Sequence, residues 1–328
     1  MKAEGPYFEE LERGQVFDGA PAVTLSDGLA AVHQSIVGDR LRLSLDHELC
    51  TAVTGSPGLA HPALVWDIAI GQSTLVTHHV KANLFYRGLI FRRFPHLGDT
   101  LITTTTVEGL RQNRPRHDRA ATGLVALRIH TVDQRGRDVL DFWRCAMLPL
   151  RADGNTGHAD ELDDVGRRAG TDWTAAVKGW RLQSLQGGDW AAAVQLEVGQ
   201  RIEVIGGDVV DAAPQLARIS LNVAKVHHDE YAGGGRRLVY GGHTIGIALS
   251  QASRAMPALT TVLGWHGCDH VGPVYEGDTL SSDITVEKVV PADAGARLVH
   301  LRSEVFAAGP VGKRERPVLD WRYVALFA

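Results

Sequence analysis

The chain repeats itself, and that repetition limits its fold more than any other feature. Leu11-Glu12-Arg13-Gly14-Gln15 returns as Leu196-Glu197-Val198-Gly199-Gln200. Further on, Gly98-Asp99-Thr100-Leu101 returns as Gly277-Asp278-Thr279-Leu280 and Val107-Glu108 as Val286-Glu287. Near the ends Val139-Leu140-Asp141-Phe142-Trp143-Arg144 returns as Val318-Leu319-Asp320-Trp321-Arg322-Tyr323, at the same spacing as the previous two matches. Four matches in one order mark a tandem duplication, so the 328 residues divide into two copies of one unit. The copies span 1–150 and 191–328. Residues 151–190, with Gly-Asn-Thr-Gly and a run of Asp, Glu, Gly and Arg, read as an exposed linker with one short helix near Trp173–Trp180.

Each copy carries one helical stretch and then strands. Val65, Ile68, Ala69, Leu75 and Val76 fall near helical spacing, and Ile245, Ala248, Leu249 and Ala252 match a helical face. Downstream the period becomes two: Val125, Leu127 and Ile129 alternate with polar or small residues, as do Val299, Leu301 and Val305. The Thr-rich run 101–107 favours strand. Helix first and antiparallel strands after predict an α+β unit, one sheet wrapped around one helix. Trp66, Trp143 and Trp321 read as core.

Lys and Arg total 34 against 38 Asp and Glu, a net charge of −4, which speaks against a nucleic-acid partner or an anionic membrane surface. No apolar run nears the roughly 20 residues that span a bilayer, and the N-terminal residues lack the apolar region of a signal peptide. Cys50, Cys145 and Cys268 are too few and too scattered for a disulfide framework or a four-cysteine zinc site. The expectation is a cytoplasmic protein.

The chain resembles the MaoC-like (R)-specific enoyl-CoA hydratases in their double-hotdog form, in particular the mesaconyl-CoA hydratase-like branch. The resemblance covers nearly the whole chain. It rests on Tyr7-Phe8-Glu9-Glu10 with Gly14-Gln15, on Ala82-Asn83-Leu84 with Tyr86, on both Gly-Asp-Thr-Leu segments, and on Leu238-Val239-Tyr240-Gly241-Gly242-His243. It implies two hotdogs paired within one chain as a monomeric pseudo-dimer, further self-association left open, with an acyl-CoA substrate, no other cofactor and no metal.

The family motif Gly-Asp-x-Asn-Pro-x-His places an Asp and a His on one loop, where both can hold a water over C3 of an enoyl thioester. An N–H at the start of the long helix receives the charge that develops on the thioester oxygen. In the first copy Asp39 stands at the acid position, but Ser44 replaces the His. Pro62, which has no N–H, stands at the helix start. The second copy has His227 at the His position and Asn222 at the acid position. Gly241-Gly242 opens its helix, with Gly242 the better match for the donor. The resemblance therefore implies one site, in the second copy, with His227, Asn222 and Gly242 catalytic and Gly241, His243, Arg236, Arg237 and Asp39 binding substrate. The first copy shapes the substrate tunnel.

An Asn orients water but carries no proton near neutral pH, which keeps a non-catalytic acyl-CoA-binding protein in competition with the hydratase. A hotdog thioesterase ranks lower, because Gly242-His243-Thr244 supplies no evident base. Gly233-Gly234-Gly235-Arg236-Arg237 offers N–H groups and two cations to a CoA phosphate, though any exposed loop holds such residues. His266, Cys268 and His270 would share one face of a strand, as metal ligands do. The matching stretch of the first copy, Arg87–Phe91, has no ligands, so packing is the favoured reading.

Overall fold

The computed structural model describes residues 4–114, 120–152, 154–167, 172–185, 196–308 and 314–328. Four long strands of the first copy, β1 (Ala82–Phe91), β2 (Thr100–Gln112), β3 (Thr122–Asp133) and β4 (Asp138–Pro149), have counterparts in the second. These are β5 (Leu259–His270), β6 (Thr279–Pro291), β7 (Arg297–Ala308) and β8 (Arg314–Phe327). All pair antiparallel in one 12-stranded sheet, in the order β2-β3-β4-β1-β5-β8-β7-β6, with short strands at both edges. The copies meet where β1 pairs β5, with Tyr86 opposite Cys268 and Ile90 opposite Gly264. The fold is the expected double hotdog.

Of the helices α1 (Asp27–Val37), α2 (Pro62–Gln72), α3 (Ala213–Ile219) and α4 (Gly241–Ala255), α2 and α4 pack against the sheet, whereas α1 and α3 are partly exposed and pack against each other. Every residue of α2 is buried, which suits a helix apolar on nearly all sides. Proline at its first position costs nothing, because that N–H has no partner inside a helix.

The duplication extends to individual hydrogen bonds. Gln72 on α2 donates to Leu101 O at 3.1 Å and accepts from Thr103 Oγ1 at 2.6 Å. Gln251 on α4 donates to Leu280 O at 2.8 Å and accepts from Ser282 Oγ at 2.6 Å. Each helix is thus tied to its own sheet by one amide that satisfies buried polar groups. On the outer face Arg128 grips Asp141 with two bonds, and Arg302 grips Asp320 in the same way.

Two expectations need correcting and one is refined. Leu162, Trp173, Val177, Leu182 and Leu185 are buried and anchor the segment between the copies to the body, while most of its other described residues are exposed. It contains two short 3₁₀ helices, Ala175–Val177 and Leu182–Leu185, and Arg181 N donates to Val53 O at 2.8 Å. Trp143 is only half-buried, with Arg128 over its ring, whereas Trp66, Trp265 and Trp321 form one buried cluster with ring centroids 4.9–6.2 Å apart. Finally, β5 bulges between Trp265 and Gly267, shifting the register against β8. His266 therefore faces solvent while Cys268 is buried, and the two do not share a face. Among the described residues no group of three His, Cys, Asp or Glu is placed to hold a metal ion.

Candidate active site

The loop that carries the family motif lies against the other copy's helix, and a glycine makes this approach feasible. A Cβ on Gly71 of α2 would come 1.6 Å from Ser220 O. Val223 N then donates to Thr74 Oγ1 at 2.9 Å, and the mirror contact joins Arg40 N to Ser253 Oγ at 3.2 Å. Each copy's loop is therefore seated on its partner copy.

Between the second copy's loop, the start of α4 and the first copy's sheet lies a cavity of about 530 Å³. Asn222, His227 and Gly241 line it from one side, and Thr77, Asn83, Tyr86 and Arg144 from the first copy line it from the other. His227 is bonded through Nδ1 to Leu238 O at 2.9 Å. A carbonyl only accepts, so Nδ1 carries the proton and Nε2 keeps its lone pair. Burial pushes the His227 pKa down to about 4, against the pull of that carbonyl bond, so the ring is neutral at pH 7. Asn222 Oδ1 is occupied by Ala224 N at 2.9 Å, which leaves its amide NH₂ as the group to offer. Asp39 makes the equivalent turn in the first copy, accepting from Leu41 N at 2.7 Å.

Gly241, not Gly242, is the first residue of α4 and lines the cavity. The spacing that relates Gln72 to Gln251 also relates Pro62 to Gly241, so the helix-start position expected at Gly242 lies one residue earlier. Gly242 packs away from the cavity lining, where a Cβ would come 2.1 Å from Asp67 Oδ1. His243 does not line the cavity either. It is wholly buried, both ring nitrogens lack partners, and burial pushes its pKa down to about 4, with His33 adding repulsion.

Asp39 also lies apart from the cavity lining. Its Oδ2 is 3.1 Å from His61 Nε2, too poorly aligned for a hydrogen bond. Beside this pair, Tyr240 donates to Asp67 Oδ1 at 3.1 Å, and Asp67 Oδ2 is 3.1 Å from His33 Nε2. Burial raises the Asp67 pKa and lowers that of His33, so both groups are driven towards their neutral forms. Arg236 and Arg237 do not line the cavity but adjoin residues at its rim that do. Arg236 stacks 4.2 Å from the ring of Tyr275, which lines the cavity, and pairs with Asp278, while Arg237 pairs with Glu276.

The motif reading missed the residues that arrive from the other copy. Arg144 is 4% exposed and donates to Thr77 Oγ1, its Nε has no partner, and among the described residues no carboxylate pairs with it. Tyr86, close by, has its pKa pushed up to about 12 by burial, against the pull of the Arg144 charge. The duplicated spacing puts Tyr323 where Arg144 stands and Trp265 where Tyr86 stands. In the first copy's half of the pseudo-dimer these rings, with Trp66 and Trp321, are fully buried in the space that the second copy keeps open.

No family model matches the chain. It is 28% identical over 331 residues to β-methylmalyl-CoA dehydratase of Chloroflexus aurantiacus, covering 97% of this chain and 91% of that protein. To mesaconyl-CoA hydratase of Cereibacter sphaeroides it is 25% identical over 315 residues, covering 91% and 88%. Among solved structures, a conserved hypothetical protein of Mycobacterium tuberculosis with a double hotdog fold superposes with a TM-score of 0.93 and 51% identity, with 99% of each chain covered. Likeness this continuous runs through both copies and the segment between them, so it describes the whole chain and not one half. The chain is a double-hotdog protein, similar along nearly its whole length to a β-methylmalyl-CoA dehydratase and a mesaconyl-CoA hydratase.

Proposed function

We propose that the chain catalyses the reversible addition of water to a 2-enoyl-CoA thioester, in the cavity of the second copy. The observation that carries this reading is His227, whose Nε2 lone pair is fixed by the Nδ1 bond to Leu238 O in the cavity that Gly241 and Asn222 share. A water that accepts from the Asn222 amide and donates to His227 Nε2 is held for attack on C3. As its oxygen bonds to C3, electrons move to the thioester oxygen, which the Gly241 N–H and the helix dipole stabilise. His227 takes the water proton and returns it to C2. An imidazole held near pKa 4 is a weak base, but its protonated form is a strong acid that gives the proton up readily.

Arg144 supplies the finer part of the reading. A buried guanidinium without a counter-charge is costly, and a carboxylate on the acyl group would relieve that cost. The relatives named for β-methylmalyl-CoA and mesaconyl-CoA support a substrate of that kind. The cationic rim of Arg236 and Arg237 suits the CoA phosphates. Among the described residues no helix is long and apolar enough to cross a membrane, and the free, buried Cys50, Cys145 and Cys268 support a reducing, cytoplasmic setting.

The test follows enoyl-thioester absorbance with crotonyl-CoA and mesaconyl-CoA, alongside a thiol trap. Loss of absorbance without thiol release, suppressed by His227→Ala, is the expected result. Thiol release would make the protein a thioesterase. Asn222 favours a second reading, binding without turnover; tight acyl-CoA binding with neither signal would establish it.

A further inference from the structure

We propose that His270 is a further catalytic residue, donating from Nε2 to the thioester oxygen beside the Gly241 N–H. The observations concern one corner of the cavity. His270 ends β5 and lines the cavity together with His227, Asn222 and Gly241. Its ring lies edge-on against the first turn of α4: a Cβ on Gly241 would come 2.6 Å from both Cε1 and Nε2. The missing Cβ of Gly241 therefore lets an imidazole approach a helix-start N–H that Pro62 of the first copy lacks. Tyr86 holds the ring in a T-shaped contact with centroids 5.8 Å apart.

Nε2 of His270 is out of contact with solvent and has no hydrogen-bond partner. A buried polar atom left unpaired is costly, and this one belongs to a ring that lines the ligand cavity, which points to a partner supplied by the ligand. The duplication provides an internal control. The spacing that relates Pro62 to Gly241 relates Phe91 to His270, and Phe91 is fully buried against Phe94 and Trp66. A phenyl ring satisfies the fold at this position, so the imidazole is not there for packing. The copy with a prolyl helix start has the phenyl, and the copy with a free helix-start N–H has the imidazole.

Burial pushes the His270 pKa down to about 4, with His227 adding repulsion, so the ring is neutral at pH 7. A neutral imidazole polarises a carbonyl as a hydrogen-bond donor without a proton changing hands, and donors of this kind act on the charge that grows in the transition state. The role differs from that of His227: His270 keeps its proton throughout, and the water proton travels only through His227. Because Asn222 cannot share the proton traffic, stabilising the enolate is the remaining means of lowering the barrier.

This inference rests on the hydratase reading, and the test separates the two. His270→Phe installs the residue of the first copy, and His270→Gln keeps an N–H donor. Hydration kinetics are measured with crotonyl-CoA, and binding is measured by calorimetry with butyryl-CoA, which cannot be hydrated. The carbonyl ¹³C shift of bound [1-¹³C]butyryl-CoA gives a readout independent of turnover. His270→Phe is expected to lower kcat on the order of 10²–10³-fold, leave butyryl-CoA affinity within about threefold, and move the carbonyl resonance upfield. His270→Gln should recover at least about tenfold of the kcat loss and part of the shift.

A kcat for His270→Phe within about threefold of the parent, or an unmoved carbonyl resonance, overturns the proposal. So does a kcat loss matched by an equal loss of butyryl-CoA affinity, or a His270→Gln variant no better than His270→Phe. If His270→Phe fails to fold, His270→Ala, which also removes the donor, takes its place in the same measurements and against the same criteria. A parent protein without hydration activity would sink the hydratase reading, while the carbonyl shift would still judge His270.

Discussion

The two hotdogs share a fold, a helix anchor and an outer ion pair, but the cavity described above lies at the helix start of the second. The first copy opens its helix with Pro62, flanks it with Phe91 and fills the facing sheet with Trp265, Trp321 and Tyr323. The second opens with Gly241, flanks it with His270 and faces Arg144 and Tyr86. The Gln72 and Gln251 anchors and the Asx turns at Asp39 and Asn222 are the same in both. Scaffold bonds and site residues have thus diverged separately. The difference reduces to which side chains point at one helix N-terminus.

Exchanging residues between the copies tests this comparison. The largest effect is expected from His227→Ala, a fall in kcat of about 10²–10⁴-fold, with His61→Ala leaving turnover unchanged. Activity that survived the first change and was lost with the second would move the site to the other copy. Next, Arg144→Tyr, which installs the first-copy counterpart Tyr323, should cost about 10–100-fold in kcat/KM for an acyl-CoA with a free carboxylate, in line with a charged hydrogen bond. It should have little effect on crotonyl-CoA; equal losses on both substrates would remove the carboxylate role. Asn222→Asp, which copies Asp39, should raise kcat on the order of tenfold and add a second ionisation to its pH profile.

The smallest change concerns stability. His243 has Leu64 as its counterpart, and His243→Leu removes two unpartnered buried nitrogens, a gain of about 1 kcal/mol read as a higher Tm at pH 7. The acid side carries a sign. His227, His243 and His270 each have a pKa pushed from 6.5 to about 4, so the unfolded chain binds more protons in that window. Stability from these residues is full above about pH 6.5 and falls as the pH drops towards 4. The slope of Tm against pH should be shallower in His243→Leu than in the parent; an unchanged slope would count against the buried-neutral assignment.

The duplication was legible because its markers, such as Gly98-Asp99 and Gly277-Asp278, sit where turn geometry restricts residue choice. His227 and Asn222 were legible for a similar reason, lying together on one loop of fixed form. Arg144, Tyr86 and His270 were not legible as parts of the site, because the β1–β5 seam brings them in and no motif encodes that pairing. The shared face expected of His266, Cys268 and His270 fails at a single bulge, since one extra residue reverses every side chain beyond it. Gly241 displaced Gly242 because the spacing between copies drifts from loop to helix. The anchors of the segment between the copies were not legible because its buried apolar residues come singly along a stretch that is otherwise largely exposed.

The β1–β5 seam has a consequence for how such a protein can change. In an assembly of two identical subunits, any substitution appears in both sites at once, so closing one closes the other. Here the open site takes its far wall from the copy whose own site has been filled, through Tyr86 and Arg144. Joining the two units in one polypeptide lets each half change on its own, so that one can serve as a wall for the other. It also ties the halves together, because a change in Tyr86 or Arg144 of the first alters the cavity of the second.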